Sequence, residues 1–343
     1  MRETSHFNLI QMALKRVIVE LYIYKGAADS YTSDDKKYTI QRERIPNRSN
    51  IMIEIAELVR DYISIEFNNS YSSGTSSTIW ATAKVTYYDE NDIAYTQNNP
   101  VLTTYLVFDG YGEFEDGINP QLSTGALMTK STIYLPEGTA GKVPIFAEGV
   151  GKYIIGGATT QVTDNGNSNQ KIQYINVPAD TTSDVVIYAT DDSTVVKTVK
   201  VVQVCEPTFT PIKCSFINHY GAIEDIFFFK KSVERFSVSD SSYNRNIIDS
   251  ANVTYSTSKG QRERYNVNAN TTITLNTGFV LEDFNSAIEE MFLSENVWIR
   301  YEGKTLSVIP NSKSFTFKNS LNDNLINHTV DFAFAFDKIN NIR

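Results

Sequence analysis

Apolar and polar residues alternate with a period of two along most of this chain. In Val17–Tyr24, Val17, Val19, Leu21 and Ile23 share one face, and Ile18, Glu20, Tyr22 and Tyr24 share the other. The same pattern predicts strands at Tyr38–Ile45, Thr78–Tyr88, Leu102–Phe108, Ile212–Ile217, Ile226–Lys230, Thr271–Leu275, Val297–Tyr301, Leu306–Ile309, Ser314–Phe317 and His328–Phe336. A helical period replaces it twice. Ile51, Ile55, Leu58, Val59 and Tyr62 fall on one face of a helix over Ile51–Tyr62, with Ser49 or Asn50 as its cap. Leu281, Phe284, Ile288 and Phe292 do the same for Val280–Leu293. Ser237–Ser258 reads as a polar connection with a turn near Ser241-Ser242.

Between residues 121 and 205 the expected strands are short and evenly spaced: Ser131–Leu135, Val143–Glu148, Lys152–Ile155, Lys171–Val177, Asp184–Ala189 and Val195–Val204. Turn signals separate them at Pro136-Glu137-Gly138, Asn165-Gly166 and Asp191-Asp192. That spacing predicts an immunoglobulin-like sandwich. The expected fold is mainly β, with β-sandwich domains, two of them each carrying one packed helix, plus this inserted immunoglobulin-like unit. The expected divisions are 1–120, 121–205 and 206–343.

The stretch Glu206–Ser232 concentrates the unusual chemistry. Phe227 and Phe229 point to one side of a strand and Phe228 to the other, so the strand needs apolar cover on both faces. A second sheet or a neighbouring subunit supplies such cover. Phe227, Phe228, Phe229 and Tyr220 are therefore candidate interface residues, together with Arg262 and Arg264, which suit charge pairing across an oligomer contact.

Composition narrows the function classes. The 20 Tyr, 19 Phe and 2 Trp among 343 residues favour strands. A net charge of −9 argues against a dedicated nucleic-acid reader, which carries a basic face. No apolar run is long enough to predict a membrane span. The opening residues carry no signal-peptide pattern, from which folding in a cytoplasm is expected. Cys205 and Cys214 are expected to be reduced in that compartment.

Candidate chemistry is sparse. His6, His219 and His328 have no metal-ligand spacing. No nucleophile elbow, phosphate loop or dinucleotide fingerprint is present. Asp109, Glu113, Glu115 and Asp116 are oxygen ligands of the kind calcium takes, but solvated loop acids are the simpler reading. The expectation is a protein that is not an enzyme, with no catalytic, cofactor or metal residues.

Two stretches carry a family resemblance: CSFINHYGAIEDIFFFKKSVERFSV, Cys214–Val238, and TITLNTGFVLEDFNSAIEEMFLSENVWI, Thr272–Ile299. Cys205 and the proline run after it belong to the same likeness. These residues resemble structural proteins of tailed phages infecting Bacteroidota, including the crAss-like phages. The resemblance implies a virion component of the tail or of the collar between portal and tail. It implies a homo-oligomeric ring, twelvefold like the portal, with other portal, collar or tail proteins as neighbours. Double-stranded DNA would be non-specific passing cargo, and excess acid suits such a passage. The Asp109–Asp116 loop is a candidate lining of the lumen. The rival readings are a glycan- or receptor-binding fibre or adhesin module and a virion enzyme.

Overall fold

The computed structural model describes residues 14–46, 48, 50–72, 78–96, 98–118, 122, 125–206, 208–246, 256–258, 260–311 and 325–339. Pro207, His6 and the expected Ser314–Phe317 strand lie outside these residues. The fold is mainly β, with twenty strands and two α-helices among the described residues. By compactness the chain forms two units. The first comprises 1–205, 215–226 and 283–295, and the second 206–214, 227–282 and 296–343.

The first unit begins with an antiparallel sheet in the order β2-β1-β3-β4. Its strands are β1 (Leu14–Tyr24), β2 (Lys36–Glu43), β3 (Thr78–Asp89) and β4 (Val101–Phe108). Val17, Val19, Leu21 and Ile23 are buried with Ile79, Ala81, Ala83 and Val85, as alternation requires. The cover on this face is the segment Ile51–Val59. Here the expected helix is much shorter: α1 spans only Ala56–Arg60. Ile51, Ile53 and Ile55 are buried while Met52 and Glu54 are exposed, which is a period of two. Three β-branched residues at alternate positions keep the backbone extended until Ala56.

Residues 125–205 hold seven strands: β5 (Thr132–Pro136), β6 (Gly141–Phe146), β7 (Lys152–Ile155), β8 (Ala158–Gln161), β9 (Ile172–Val177), β10 (Val185–Tyr188) and β11 (Val195–Val204). They form one sheet in the order β5-β11-β10-β7-β8 and a second, β6-β9. This is the immunoglobulin-type arrangement: the second, third, fifth, sixth and seventh strands partition as B and E against C, F and G. β8 follows C as an added edge strand, which the sequence pattern had not indicated. β5 runs parallel to β11, and all the other pairings within this segment are antiparallel. Val143, Ile145, Ile175, Val185, Ile187 and Val199 fill the space between the sheets, while Ile172 faces the other way, into a cluster with Phe108 and Leu127. Asn169 joins this part to the first sheet. Its side chain accepts from the Gly26 amide at 2.9 Å and donates to the Thr78 carbonyl at 2.8 Å.

The remaining strands are β12 (Ile212–Ile217), β13 (Ile223–Phe228), β14 (Val233–Asn244), β15 (Arg262–Asn276), β16 (Val280–Leu281), β17 (Val297–Tyr301), β18 (Lys304–Pro310), β19 (Leu325–Ile326) and β20 (Thr329–Phe334). Seven of them form a sheet in the order β13-β12-β17-β18-β20-β15-β14. In the second unit Ile273, Leu275, Val330, Phe332 and Phe334 are buried at alternate positions. Phe228 meets Phe332 edge-on at 5.8 Å between centroids. Phe336, two residues beyond the end of β20, is exposed. The second helix is α2 (Phe284–Leu293); Val280 and Leu281 instead pair with Ile326 and Leu325. α2 belongs to the first unit, where Phe284 lies edge-on to Tyr134 at 5.9 Å.

The largest departure from the sequence pattern is at Ser237–Ser258. Ser241 and Ser242 do not turn. β14 continues through them to Asn244, because β15 supplies a partner for every residue except Asp240, at the register shift. Serine has no strong strand preference of its own, and here the ladder decides.

Candidate subunit interface

β14 and β15 make a hairpin arm. β15 pairs with β20 only over Thr272–Asn276. Farther out, from Phe236↔Thr271 to Asn244↔Arg262, β14 and β15 are each other's strand partners. Twelve extended residues span roughly 40 Å. Every residue of β14 is exposed except Ser241, which is partly so. Opposite residues on paired strands share a face, so Phe236 and Val238 lie on the face that carries Thr271 and Ala269. That face continues inward to Ile273, which is fully buried. The core face of the sheet thus runs out along the arm: Ala269 is still buried, and the Lys338 amide donates to its carbonyl at 2.8 Å, while on β14 Phe236 is 58% and Val238 47% exposed. Beyond a register shift after Ser239, Tyr243 and Tyr265 meet edge-on with ring centroids 5.8 Å apart, and both are about half exposed. Asp240 accepts two hydrogen bonds from Arg264, at 3.0 and 3.1 Å, and Arg245 pairs with Glu263 at 3.1 Å. Arg262, beside them, has no carboxylate at ion-pair distance among the described residues. β14 is also the last strand in its sheet order, so among the described residues no strand pairs with its outer edge.

Two features of the first unit complete the picture. Glu113 leads into a single 3-10 turn, Phe114–Asp116. Phe114 is fully exposed, and Glu113, Glu115 and Asp116 around it have no cationic partner among the described residues. Glu289, on α2, is held above the usual carboxylate range by burial and by the charges of Glu113 and Glu115.

The second feature is the turn Asn218–Asp225, built largely of buried polar contacts. Lys130 and Glu224 pair at 2.8 Å, with side chains only 2% and 3% exposed. Asn218 donates to Glu224 at 2.9 Å and to the Leu127 carbonyl at 2.7 Å. Asp225 accepts from Ser215 at 2.6 Å and from Tyr71 at 2.6 and 2.7 Å. Burial, reinforced by the Asp225 charge, pushes the Tyr71 hydroxyl far above its ordinary value, so it remains a donor. His219 Nδ1 lies 3.2 Å from Glu290 and 3.3 Å from Thr129. Burial opposes the Glu290 charge, but contacts with His219 and Thr129 hold its pKa below the ordinary value. The 109–111 segment closes tightly on this turn: Tyr111 donates its amide to the His219 carbonyl at 2.9 Å. A Cβ at Gly110 would run into that carbonyl, and Gly221, at φ +79°, has Asp109 backbone 3.0 Å from where its Cβ would be.

The candidate interface residues therefore separate. Phe227, Phe228 and Phe229 are buried within the chain itself, so the strand's two apolar faces need no neighbouring subunit to cover them. Phe229 falls just beyond the strand end. Tyr220 is half-buried against His219, with ring centroids 3.8 Å apart. Arg262 and Arg264 are exposed near the outer end of the arm. Asp109 is tied to Arg60 at 3.0 Å, and no group of acids, histidines and cysteines among the described residues is arranged to hold a metal. Cys205 is exposed, Cys214 is buried, and they are not joined in a disulfide. The sequence reading passed over Phe236, Val238, Tyr243, Tyr265 and Phe114. A signal existed for the first two: Glu234, Phe236 and Val238 alternate, as do Val267 and Ala269, but the surrounding serines and asparagines hid it.

No family model matches the chain, and no curated protein matches it. No helix among the described residues is long and apolar enough to cross a membrane.

Proposed function

We propose that this chain is a non-enzymatic structural subunit that closes with identical copies into a ring in the tail or portal–tail connector of a tailed-phage virion. The observation that carries the assembly part is the β14–β15 arm. A two-stranded ribbon is marginal in water on its own, and this one leaves Phe236 and Val238 about half exposed on an extension of the core face. Among the described residues its outer edge has no strand partner, and it carries no proline or lysine to blunt that row of backbone donors and acceptors. Both features are resolved when a second chain covers them. A contact between different patches on identical copies closes into a ring when the rotation permits.

The virion setting rests on the resemblance of Cys214–Val238 and Thr272–Ile299 to phage tail and collar proteins. Twelvefold symmetry, portal and tail neighbours, and double-stranded DNA as passing cargo come from the same source. The net charge of −9 favours passage over retention of DNA, because few phosphate contacts would form.

A second reading has one observation in its favour. A cleft of about 430 Å³ opens in the immunoglobulin-like part, lined by Tyr153, Asn176, Asp180, Thr181, Thr182 and Ser183 among others. An aromatic ring beside amide and hydroxyl groups suits a saccharide, as a receptor-binding module requires.

Native mass spectrometry of the purified protein, with electron microscopy of the particle, separates the two. A closed ring on the portal–tail axis is expected. A monomer absent from that axis, with an oligosaccharide bound at Tyr153, would overturn the ring reading.

A further inference from the structure

Resting on the ring reading, we infer that the β14–β15 arm of one copy docks on the Phe114 loop of a second copy, its arginine-bearing outer end against Glu113, Glu115 and Asp116. The two surfaces are complementary in shape of need and in charge. One is a ribbon with exposed Phe236, Val238, Tyr243 and Tyr265 and an unmatched Arg262. The other is a single large aromatic, the most exposed large hydrophobic residue described, ringed by three carboxylates without a cation.

Neither surface is satisfied alone. An aromatic standing wholly in water gains by burial, and aromatic anchors with arginine neighbours dominate interface energies. The like charges of Glu113, Glu115 and Glu289 already press on one another. An arriving guanidinium relieves that repulsion, whereas a lysine-free acidic loop facing solvent does not. Arg264 and Arg245 are held by Asp240 and Glu263, so they shape the arm's end, and Arg262 is the cation left to cross the contact. The occupant is another copy of this chain because the acidic loop and the basic, aromatic arm are both present once per copy. A donor and an acceptor patch of this kind give the head-to-tail contact that a ring repeats.

The test uses the full chain and reads assembly by analytical ultracentrifugation and native mass spectrometry. Glu113→Lys with Glu115→Lys, or Arg262→Glu alone, is expected to weaken assembly about tenfold. All three substitutions together are expected to restore it to within about threefold of the parent. Phe114→Ala is expected to weaken assembly more than tenfold. All four sites are exposed, so each variant should keep the parent's thermal midpoint, and circular dichroism checks that it is folded. Rings that form unchanged in every variant overturn this docking while leaving the ring reading intact. A parent chain that stays monomeric at every concentration overturns both.

Discussion

Lys130 and Glu224 are charged and almost wholly buried, whereas Phe236 and Val238 are apolar and about half exposed. Each region reverses the usual placement of its residue type. The Asn218–Asp225 turn resolves the reversal inside the chain. Its lysine meets a carboxylate and a carbonyl, its asparagine spans Glu224 and Leu127, and Asp225 collects two hydroxyls. Among the described residues of the second unit, nothing does the same for Phe236 and Val238. Burial of charge here marks a locked joint, and exposure of apolar surface marks an unfinished one. The contrast separates what holds the subunit together from what it presents outward.

The largest effect is expected where a partner is removed from the joint. Lys130→Met leaves Glu224 buried with its counter-charge gone, which costs about 3–5 kcal/mol. Chemical denaturation of the variant measures it. A loss under about 1 kcal/mol would mean that water reaches Glu224 and that the turn is not a sealed site.

Gly110→Ala comes next. The added Cβ meets the His219 carbonyl, which is itself held by the Tyr111 amide, so backbone must move. A cost of about 1–3 kcal/mol is expected from overpacking. The same substitution at Gly117, which unlike Gly110 is at a positive φ and has open space around it, separates backbone strain from steric clash.

How far the sequence foretold these regions follows from the range of the forces involved. The strands with strict alternation, Val17–Tyr24 among them, were legible because one buried face repeats over many residues. The immunoglobulin-like order was legible from strand spacing and turn residues. Ile51–Val59 misled because its apolar spacing fits either period over a short window, and the β-branched residues at 51, 53 and 55 decide for the extended form. The arm was illegible for another reason: serine-rich β14 is a strand only because β15 pairs with it residue by residue, a long-range cause that local preference does not carry. The ion pair of Lys130 with Glu224 joins residues far apart in sequence, so no motif announces it.

A smaller effect is expected from acid. The Glu290 carboxyl is held below its ordinary value of 4.5 by His219 and Thr129, against the opposing pull of burial. A group whose folded pKa is depressed adds stability that is present above the unfolded value and is lost as pH falls through the folded one. Stability measured from pH 6 downward should therefore fall below about pH 4.5 and do so less in Glu290→Gln than in the parent. Identical acid limbs in the two proteins would show that the His219–Glu290 contact is not linked to folding.

The smallest effect on the subunit itself is expected at the arm. Phe236→Ser and Val238→Ser remove apolar side chains that are already about half exposed, so no enclosed cavity forms and little transfer energy is lost. Each should change stability by no more than about 0.5 kcal/mol under conditions where the chain is monomeric. The same pair at Ile273 and Leu275, which are fully buried farther along β15, should behave in the opposite way, each losing about 2–5 kcal/mol on truncation to alanine. Urea melts of the four variants at low protein concentration draw the boundary between core and arm along one strand pair. If Phe236→Ser cost as much as Leu275→Ala, the chain would be covering that face itself. The arm would then belong with the Asn218–Asp225 turn, as a joint already closed, and the case for a second copy on it would fail.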